Sequence, residues 1–140
     1  MSETEVMQAY EQFVNSWQGA SLEMKAVFTG MKEYMAQMDG VVFDFVGRAG
    51  ISYSLRVKHV NQKDRSLFAM IDVIDDDPED RWLSVCFYGD LITDPEEVGD
   101  LVPEGLLGED GYCFDLSDPE EDEVAYVRER LAEACKNASK

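Results

Sequence analysis

The chain has 140 residues, of which 45% are hydrophobic and 30% charged, with 30 acidic against 12 basic side chains. A hydrophobic fraction of this size is typical of a globular protein, and the length suits one core, so we predict a single domain over residues 1–140. The formal net charge of −18 excludes direct binding to a nucleic-acid backbone or to an anionic membrane, because both are polyanions.

Two helices are predicted at the start of the chain. Ser2, followed three residues later by a glutamate, forms a capping box that places a helix start at about residue 3. An apolar stripe at helical spacing then runs over residues 6–17. Ser21 is expected to cap a second helix, whose methionine-rich stripe ends near Gly40. We interpret that stripe as core and not as a groove for a partner helix.

The apolar period then changes from helical to alternating, which is typical of β-strands. Strands are predicted over residues 41–46 and 51–60, joined by a hairpin loop that a glycine bounds at each end. Two more are predicted over 67–74 and 81–88, joined by an acidic turn. In the second strand apolar and polar residues alternate strictly, so one face of the sheet is expected to be buried and the other exposed.

The pattern weakens after Tyr88. Pro95 with its flanking acids indicates a short helix, because proline is tolerated at a first helical position. The glycine-spaced segment 105–111 indicates a loop, and residues 111–116 indicate a short fifth strand. A last helix is predicted to start at 118–121, where acids suit the positive end of the helix dipole.

These elements predict an α+β fold. Its antiparallel meander of four to five strands would carry the N-terminal helical pair and the C-terminal helix on one face. This order of elements resembles that of an uncharacterised family of small bacterial α+β proteins, above all in the segments ISYSLR at 51–56 and WLSVCFY at 82–88. The resemblance implies the architecture and transfers no catalytic residue.

The cysteines and the N-terminal segment bear on the cellular compartment. Three cysteines lie far apart at positions 86, 113 and 135, and this odd number without a C-x-x-C pair predicts free thiols. The first residues lack the basic and apolar regions of a signal peptide, and no apolar run is long enough to span a membrane. We therefore expect a cytoplasmic protein.

The negative charge lies almost entirely in the second half of the chain. Residues 1–74 carry 9 acids and 7 bases, whereas residues 75–140 carry 21 acids and 5 bases. A field of this strength attracts basic molecules and speeds their encounter with the protein. We therefore predict a non-catalytic binding or adaptor protein that docks a basic protein partner through its acidic C-terminal half. The sequence leaves the oligomeric state open.

The densest group of acids occupies the turn between the third and fourth predicted strands. Hard divalent cations prefer carboxylate oxygens, so metal binding by clustered carboxylates is an alternative function. The spacing does not match an EF-hand loop, which needs acids at alternate positions and a glycine at the sixth. We predict no resident metal and no cofactor, and treat the turn as a binding surface. Its acids are Asp75, Asp76, Asp77, Glu79 and Asp80.

Asp44 and Asp72 each lie in the middle of a predicted strand among apolar neighbours. The simpler interpretation is that both face solvent or pair with a base such as Arg56. If the second face of the sheet is covered, the two carboxylates would share a cleft with raised pKa values, lined also by Tyr53. That arrangement would suit a small-molecule-binding enzyme that uses a carboxylate pair. No nucleophile lies nearby, so we predict no catalytic residue.

Overall fold

A computed structural model describes residues 2–140 of the chain. The chain forms three helices and one antiparallel sheet, which confirms the predicted α+β class. The elements in chain order are α1 (Glu3–Ser16), α2 (Leu22–Ala36), β1 (Val41–Arg48), β2 (Ser52–His59), β3 (Ala69–Ile74), β4 (Trp82–Tyr88), β5 (Asp100–Leu106), β6 (Glu109–Leu116) and α3 (Glu121–Ala138).

The sheet has six strands, where four to five were expected. The strand order is β1-β2-β3-β4-β6-β5, so the first four strands form the predicted meander and β5 lies at an edge. β5 and the start of β6 replace the predicted glycine-spaced loop, and the short helix predicted near Pro95 is irregular chain. Both of these local predictions are wrong.

The sequence signal of β5 is weak because the strand lies exposed at the edge of the sheet. Six of its seven residues are exposed, so it needs no alternating apolar pattern. Pro103 lacks an N–H for the ladder, and proline is tolerated in a strand mainly at such an edge or at a bulge. The register with β6 also shifts between Val102 and Leu106. This strand is therefore defined by its pairing with β6 and not by its own residue preferences.

The three helices cover one face of the sheet. In β3, buried Ile71 and Val73 alternate with half-buried Met70 and Asp72. The buried set joins apolar side chains of all three helices in one hydrophobic cluster. The alternate residues of each strand point away from the helices, and we call that side of the sheet the open face.

The two predicted helix caps behave differently. The Oγ of Ser2 accepts a hydrogen bond from the N–H of Glu5 at 3.2 Å, as the capping box predicts. Ser21 lies at the N-cap position of α2 in a left-handed conformation, and its side chain forms no capping hydrogen bond. Its hydroxyl instead donates to the Glu79 carbonyl at 3.3 Å and accepts from the Arg81 N–H at 3.1 Å. Ser21 therefore ties the helix junction to the acidic turn.

Arg81 follows the acidic turn and enters a group of aromatic rings. Its guanidinium carbon lies 5.3 Å from the ring centre of Phe13, 5.1 Å from that of Trp17 and 5.9 Å from that of Tyr53. Phe13 and Tyr53 stack with their centroids 3.9 Å apart, which joins α1 to β2. The guanidinium can occupy this apolar group because its charge attracts ring faces and has a buried counter-ion.

That counter-ion is Asp75, which is only 3% exposed. Its Oδ1 accepts a hydrogen bond from the Arg81 Nε at 2.8 Å, and its Oδ2 accepts one from the Gly50 N–H at 2.9 Å. The carboxylate thus connects the β3–β4 turn to the β1–β2 turn. A buried charge with both oxygens bonded is stable, whereas the same charge without its partner is costly.

The prediction of free thiols is wrong for two of the three cysteines. Cys86 on β4 and Cys113 on β6 lie opposite each other, with Cα atoms 4.1 Å apart, and form a disulfide on the open face. Only Cys135 is a free thiol, and it is buried. The pairing of β4 with β6 brings these two cysteines together, and sequence spacing alone does not reveal that pairing.

The disulfide removes one ground for expecting a cytoplasmic protein, since free thiols were part of that inference. The cytoplasmic location stays a prediction. No helix within residues 2–140 is both long enough and apolar enough to cross a membrane.

We predict that Asp75→Asn destabilises the protein by about 3 kcal/mol, because it leaves the Arg81 guanidinium buried without a counter-ion. Urea denaturation measures the loss. Asp76→Asn is the matched control: Asp76 is exposed in the same turn, so its replacement should change stability by less than about 0.5 kcal/mol. Equal effects of the two substitutions would contradict a structural role for the pair.

We also predict that the unfolded, unreduced protein takes up one alkylating group per chain, at Cys135, and that prior reduction exposes all three cysteines. Mass spectrometry counts the labels. Replacing both Cys86 and Cys113 with Ala should cost about 2–4 kcal/mol, because the bond closes a long loop in the unfolded chain. Three labels without reductant would show that the bond is absent.

Candidate docking surface

The five acids of the predicted binding turn divide into two groups. Asp75 is buried in its ion pair with Arg81, so it belongs to the fold and not to a binding surface. The other four point into solvent, and within residues 2–140 none of them forms an ion pair. The turn is shaped locally by Asp77, whose Oδ1 accepts the Glu79 N–H at 3.0 Å.

A second group of acids lies beside this turn. β4 and β6 are neighbours, and Leu83 at the start of β4 pairs with Leu116 at the end of β6. The acidic turn before β4 and the segment after β6 therefore meet at one end of the sheet. Asp80 and Asp118 line a common open cleft there with Glu23 of α2.

Ten exposed carboxylates occupy this end of the molecule, and we call them the acidic end. In the described part of the chain none of them has a basic partner within ion-pair distance. Uncompensated like charges so close together repel one another and create a strong negative potential. The members are Glu23, Asp76, Asp77, Glu79, Asp80, Asp118, Glu120, Glu121, Asp122 and Glu123.

A small cavity, which we call the slot, adjoins the acidic end where α3 crosses β6. Its volume is about 160 Å³, and its lining is about half apolar and half polar. Asp122 and Glu123 of the acidic end stand at its rim together with Glu96. The lining residues are Glu96, Val98, Phe114, Asp115, Leu116, Asp122, Glu123, Tyr126 and Val127.

One wall of the slot is the loop that precedes β5, and Asp94 holds it in place. Its carboxylate accepts hydrogen bonds from the N–H groups of Val98 at 3.1 Å and Gly99 at 2.8 Å, and from the Tyr126 hydroxyl. Desolvation pushes the pKa of Asp94 up, but these hydrogen bonds outweigh it and hold the pKa below its ordinary value. The wall is therefore a charged, hydrogen-bonded turn and not a loose segment.

The remaining predicted site residues lie on the open face. Asp44 of β1 stands directly opposite Arg56 of β2, yet no ion pair joins them. The Arg56 Nε points toward the Ser54 hydroxyl, at 3.4 Å. Asp72 lies on β3, two strands away from Asp44, and neighbouring strands are about 4.8 Å apart. Tyr53 points to the helical face, so the structure forms no shared cleft from these residues.

Asp72 has an unusual environment for a residue on an open sheet face. Ser54 of β2 and Ser84 of β4 flank it, and one of its carboxylate oxygens is buried without a hydrogen-bond partner. Burial raises the pKa of Asp72 above its ordinary value, and the Ser54 hydroxyl and the Arg56 guanidinium oppose that rise only in part. A raised carboxyl pKa is one property of a catalytic acid, but the predicted second carboxylate, Asp44, lies two strands away.

The alternative of metal binding has no preassembled site. Across residues 2–140 no three side chains of His, Cys, Asp or Glu approach closely enough to hold an ion. The free carboxylates of the acidic turn are exposed and held only by the turn itself, so binding a cation would require them to rearrange. Such rearrangement lowers affinity, because flexible side chains must be ordered.

The slot was not predicted from the sequence, although one of its walls has a recognisable pattern. Asp122, Tyr126 and Val127 lie on one side of α3 at helical spacing, which combines acids with apolar residues on one helix face. The other wall could not be inferred, because a short helix was predicted near Pro95. Only the pairing of β5 with β6 brings Val98 over α3.

We predict that Asp72→Asn stabilises the dilute protein at pH 7 by about 1 kcal/mol, because it removes a buried, incompletely bonded charge. The pKa of Asp72 is raised in the folded state, so stability is lost as pH rises from the ordinary value of 3.8 to the raised value. The gain should vanish as pH falls below 3.8, where the folded and the unfolded state both hold the proton. Thermal melting across pH measures it.

The matched control is Asp44→Asn, since Asp44 carries the same charge on the same face but is exposed. It should leave the melting temperature unchanged at every pH. A gain from Asp72→Asn that persists below pH 3.8 would show that ionisation is not its cause.

Known proteins give no indication of what this chain does. Comparisons with models of protein families, with curated proteins and with solved structures found no match.

Proposed function

We propose that this protein is a non-catalytic docking protein whose acidic end binds a basic protein partner. The observation that carries this proposal is the set of ten exposed, unpaired carboxylates at one end of the sheet. Arg81 lies beside these acids, but it is already paired with buried Asp75. A basic surface would relieve the mutual repulsion of these carboxylates on binding.

Long-range charge attraction speeds the encounter of two proteins and makes their binding sensitive to salt. High affinity also requires a contact area from which water is removed. The slot supplies such area beside the acidic end. Its volume of about 160 Å³ equals roughly five water molecules. Pockets for drug-sized ligands hold about 300–1,000 Å³, so the slot is suited to a single side chain.

A lysine or arginine side chain matches the chemistry of the slot. Its aliphatic stem would lie on the apolar floor formed by Phe114 and Val127, where it replaces water. Its charged head would reach the carboxylates of Glu96, Asp122 or Glu123 at the rim. The partner is thus a basic surface with one protruding cationic side chain.

Divalent-metal binding is the alternative use of the same carboxylates. Thermal melting with calcium, magnesium or manganese at moderate salt separates the two, because a ligand of the native state raises its melting temperature. A rise of several degrees with one ion only would favour a metal site. Equal small rises with all three would reflect general screening of the acidic end.

We predict that a fluorescent oligolysine peptide binds the protein at low salt, and that neutralising three acids of the turn weakens binding about tenfold. Each lost charge contributes roughly 0.5 kcal/mol at an exposed site. Fluorescence anisotropy measures the affinity. The triple variant is Asp76→Asn, Glu79→Gln and Asp80→Asn.

The control variant changes the net charge equally at exposed positions outside the acidic end: Glu33→Gln, Asp39→Asn and Asp64→Asn. It should weaken binding by less than about threefold, because these charges lie farther from the peptide. Equal losses in the two variants would mean that net charge, and not the acidic end, attracts the peptide.

The slot is tested by shortening the cation. An oligomer of 2,3-diaminopropionic acid keeps a positive charge per residue when fully protonated but lacks most of the lysine stem. At a pH where both peptides are fully charged, the lysine peptide should bind more tightly if a stem enters the slot. Equal affinity would show that only the field acts, with no slot contact.

A further inference from the structure

We propose that two copies of this chain associate face to face through their open faces, as a two-fold symmetric dimer. This inference is independent of the acidic end, which lies at one end of the sheet and stays outside the interface. Antiparallel sheets often leave one face in solvent, so a monomer is the competing outcome of the test.

The open face is more apolar than a solvated sheet face needs to be. Val42, Val46, Met70, Ile74 and Trp82 all point to this side and are half-buried by their neighbours. The Cys86–Cys113 disulfide adds another apolar group near the middle of the face. These side chains form a broad surface, because β1 to β4 are consecutive neighbours in the sheet.

The charges of the open face are divided between its two sides. On β1 and β2 lie Arg48, Arg56 and Lys58, with Asp44 as the only acid. We call this the basic side. Among the residues that the structure describes, Arg56 and Lys58 take part in no ion pair.

The opposite side carries mainly acids. The base beside it, Arg65, lies over the Tyr88 ring of β4 and is already paired with Asp90 and Glu109. Asp72 on β3, Asp115 on β6 and Asp100 on β5 all point to the open face, as their register with Ser84 and Cys113 shows. We call this the acidic side. The basic side of one copy is therefore complementary in charge to the acidic side of a second copy.

Two-fold symmetry turns this division into attraction. A two-fold axis parallel to the strands reverses the strand order across the interface, so each basic side lies on the partner's acidic side. The favourable contact occurs twice. An association that superposed equal sides would instead place like charges together and cost free energy.

The charge of the whole molecule also favours this face for self-association. Each copy carries a net charge of −18, so most contacts between two copies are repulsive. The open face is an exception, because on its strands three bases stand against five acids, and one of these acids, Glu109, is paired with Arg65. Face-to-face packing joins surfaces of low net charge. The two-fold axis parallel to the strands leaves both acidic ends in solvent at the same end of the dimer, where their repulsion opposes association at low salt.

The size of the face suits a stable dimer. Six strands about 4.8 Å apart and about seven residues long span roughly 29 Å by 24 Å, or roughly 700 Å². A standard protein–protein interface buries about 800 Å² on each partner. The buried, unbonded oxygen of Asp72 also lies on this face, and a covering chain can bring it a hydrogen-bond donor.

Sedimentation equilibrium tests the proposal on the full chain. We expect a dimer with a dissociation constant below about 100 μM at moderate salt. Arg56→Glu with Lys58→Glu reverses the basic side and should weaken self-association at least tenfold. Asp100→Lys with Asp115→Lys reverses the acidic side and should do the same. The two double variants keep the core intact, which unchanged circular dichroism and melting confirm.

Mixing the two double variants gives the decisive result. In the mixture both contacts of the two-fold interface again join opposite charges, so a one-to-one heterodimer should form although neither variant forms a homodimer. Native mass spectrometry identifies the heterodimer. Lys63→Glu with Lys136→Glu, exposed and off the open face, should leave the wild-type dimer unchanged.

Three results would overturn the proposal: a wild-type chain that stays monomeric at both low and high salt, double variants that still dimerise, or a mixture that stays monomeric. A dimer that only the control variant disrupts would place the interface elsewhere. The triple variant of the oligolysine experiment changes only the acidic end, so its result leaves these outcomes unaffected.

Discussion

The buried ion pair between Asp75 and Arg81 is the contact on which the arrangement of the elements depends. A turn with five acids in six residues would extend into water if nothing held it. Asp75 bonds Arg81 and the backbone of Gly50, while the Arg81 guanidinium lies over Phe13 and Trp17 of α1. One pair thus joins two turns and a helix. The aromatic rings exclude water, which makes either charge costly without the other.

This pair also explains how a single turn serves both fold and surface. Asp75 points into the protein, whereas the other four acids of the turn point into solvent. They add to the negative potential of the acids at the start of α3. The mutual repulsion of these charges costs stability, which the packing of the core offsets. The open face adds little to that potential, because its bases offset most of its acids. The surface that we propose for a basic partner is therefore separate from the one that we propose for a second copy.

Much of the architecture was predictable from residue patterns. The capping box at Ser2, the apolar stripes of α1 and α2 and the alternation in β2 and β3 all reflect local burial, which periodicity reports directly. β5 was missed because an exposed edge strand has no apolar period to detect. Ser21 was misread because its hydroxyl bonds a segment 58 residues away instead of its own helix.

By itself, the sequence determined the α+β class, the helix and strand positions up to Tyr88 and the concentration of negative charge in the second half. Each depends on neighbours along the chain. Only the tertiary structure decided that Asp75 is buried, that Cys86 and Cys113 are bonded and that Tyr53 points away from Asp72. These outcomes depend on strand pairing and on the packing of elements that are distant in the sequence. The orientation of one side chain decides whether it belongs to the core or to the surface, and the local sequence pattern is the same in both cases.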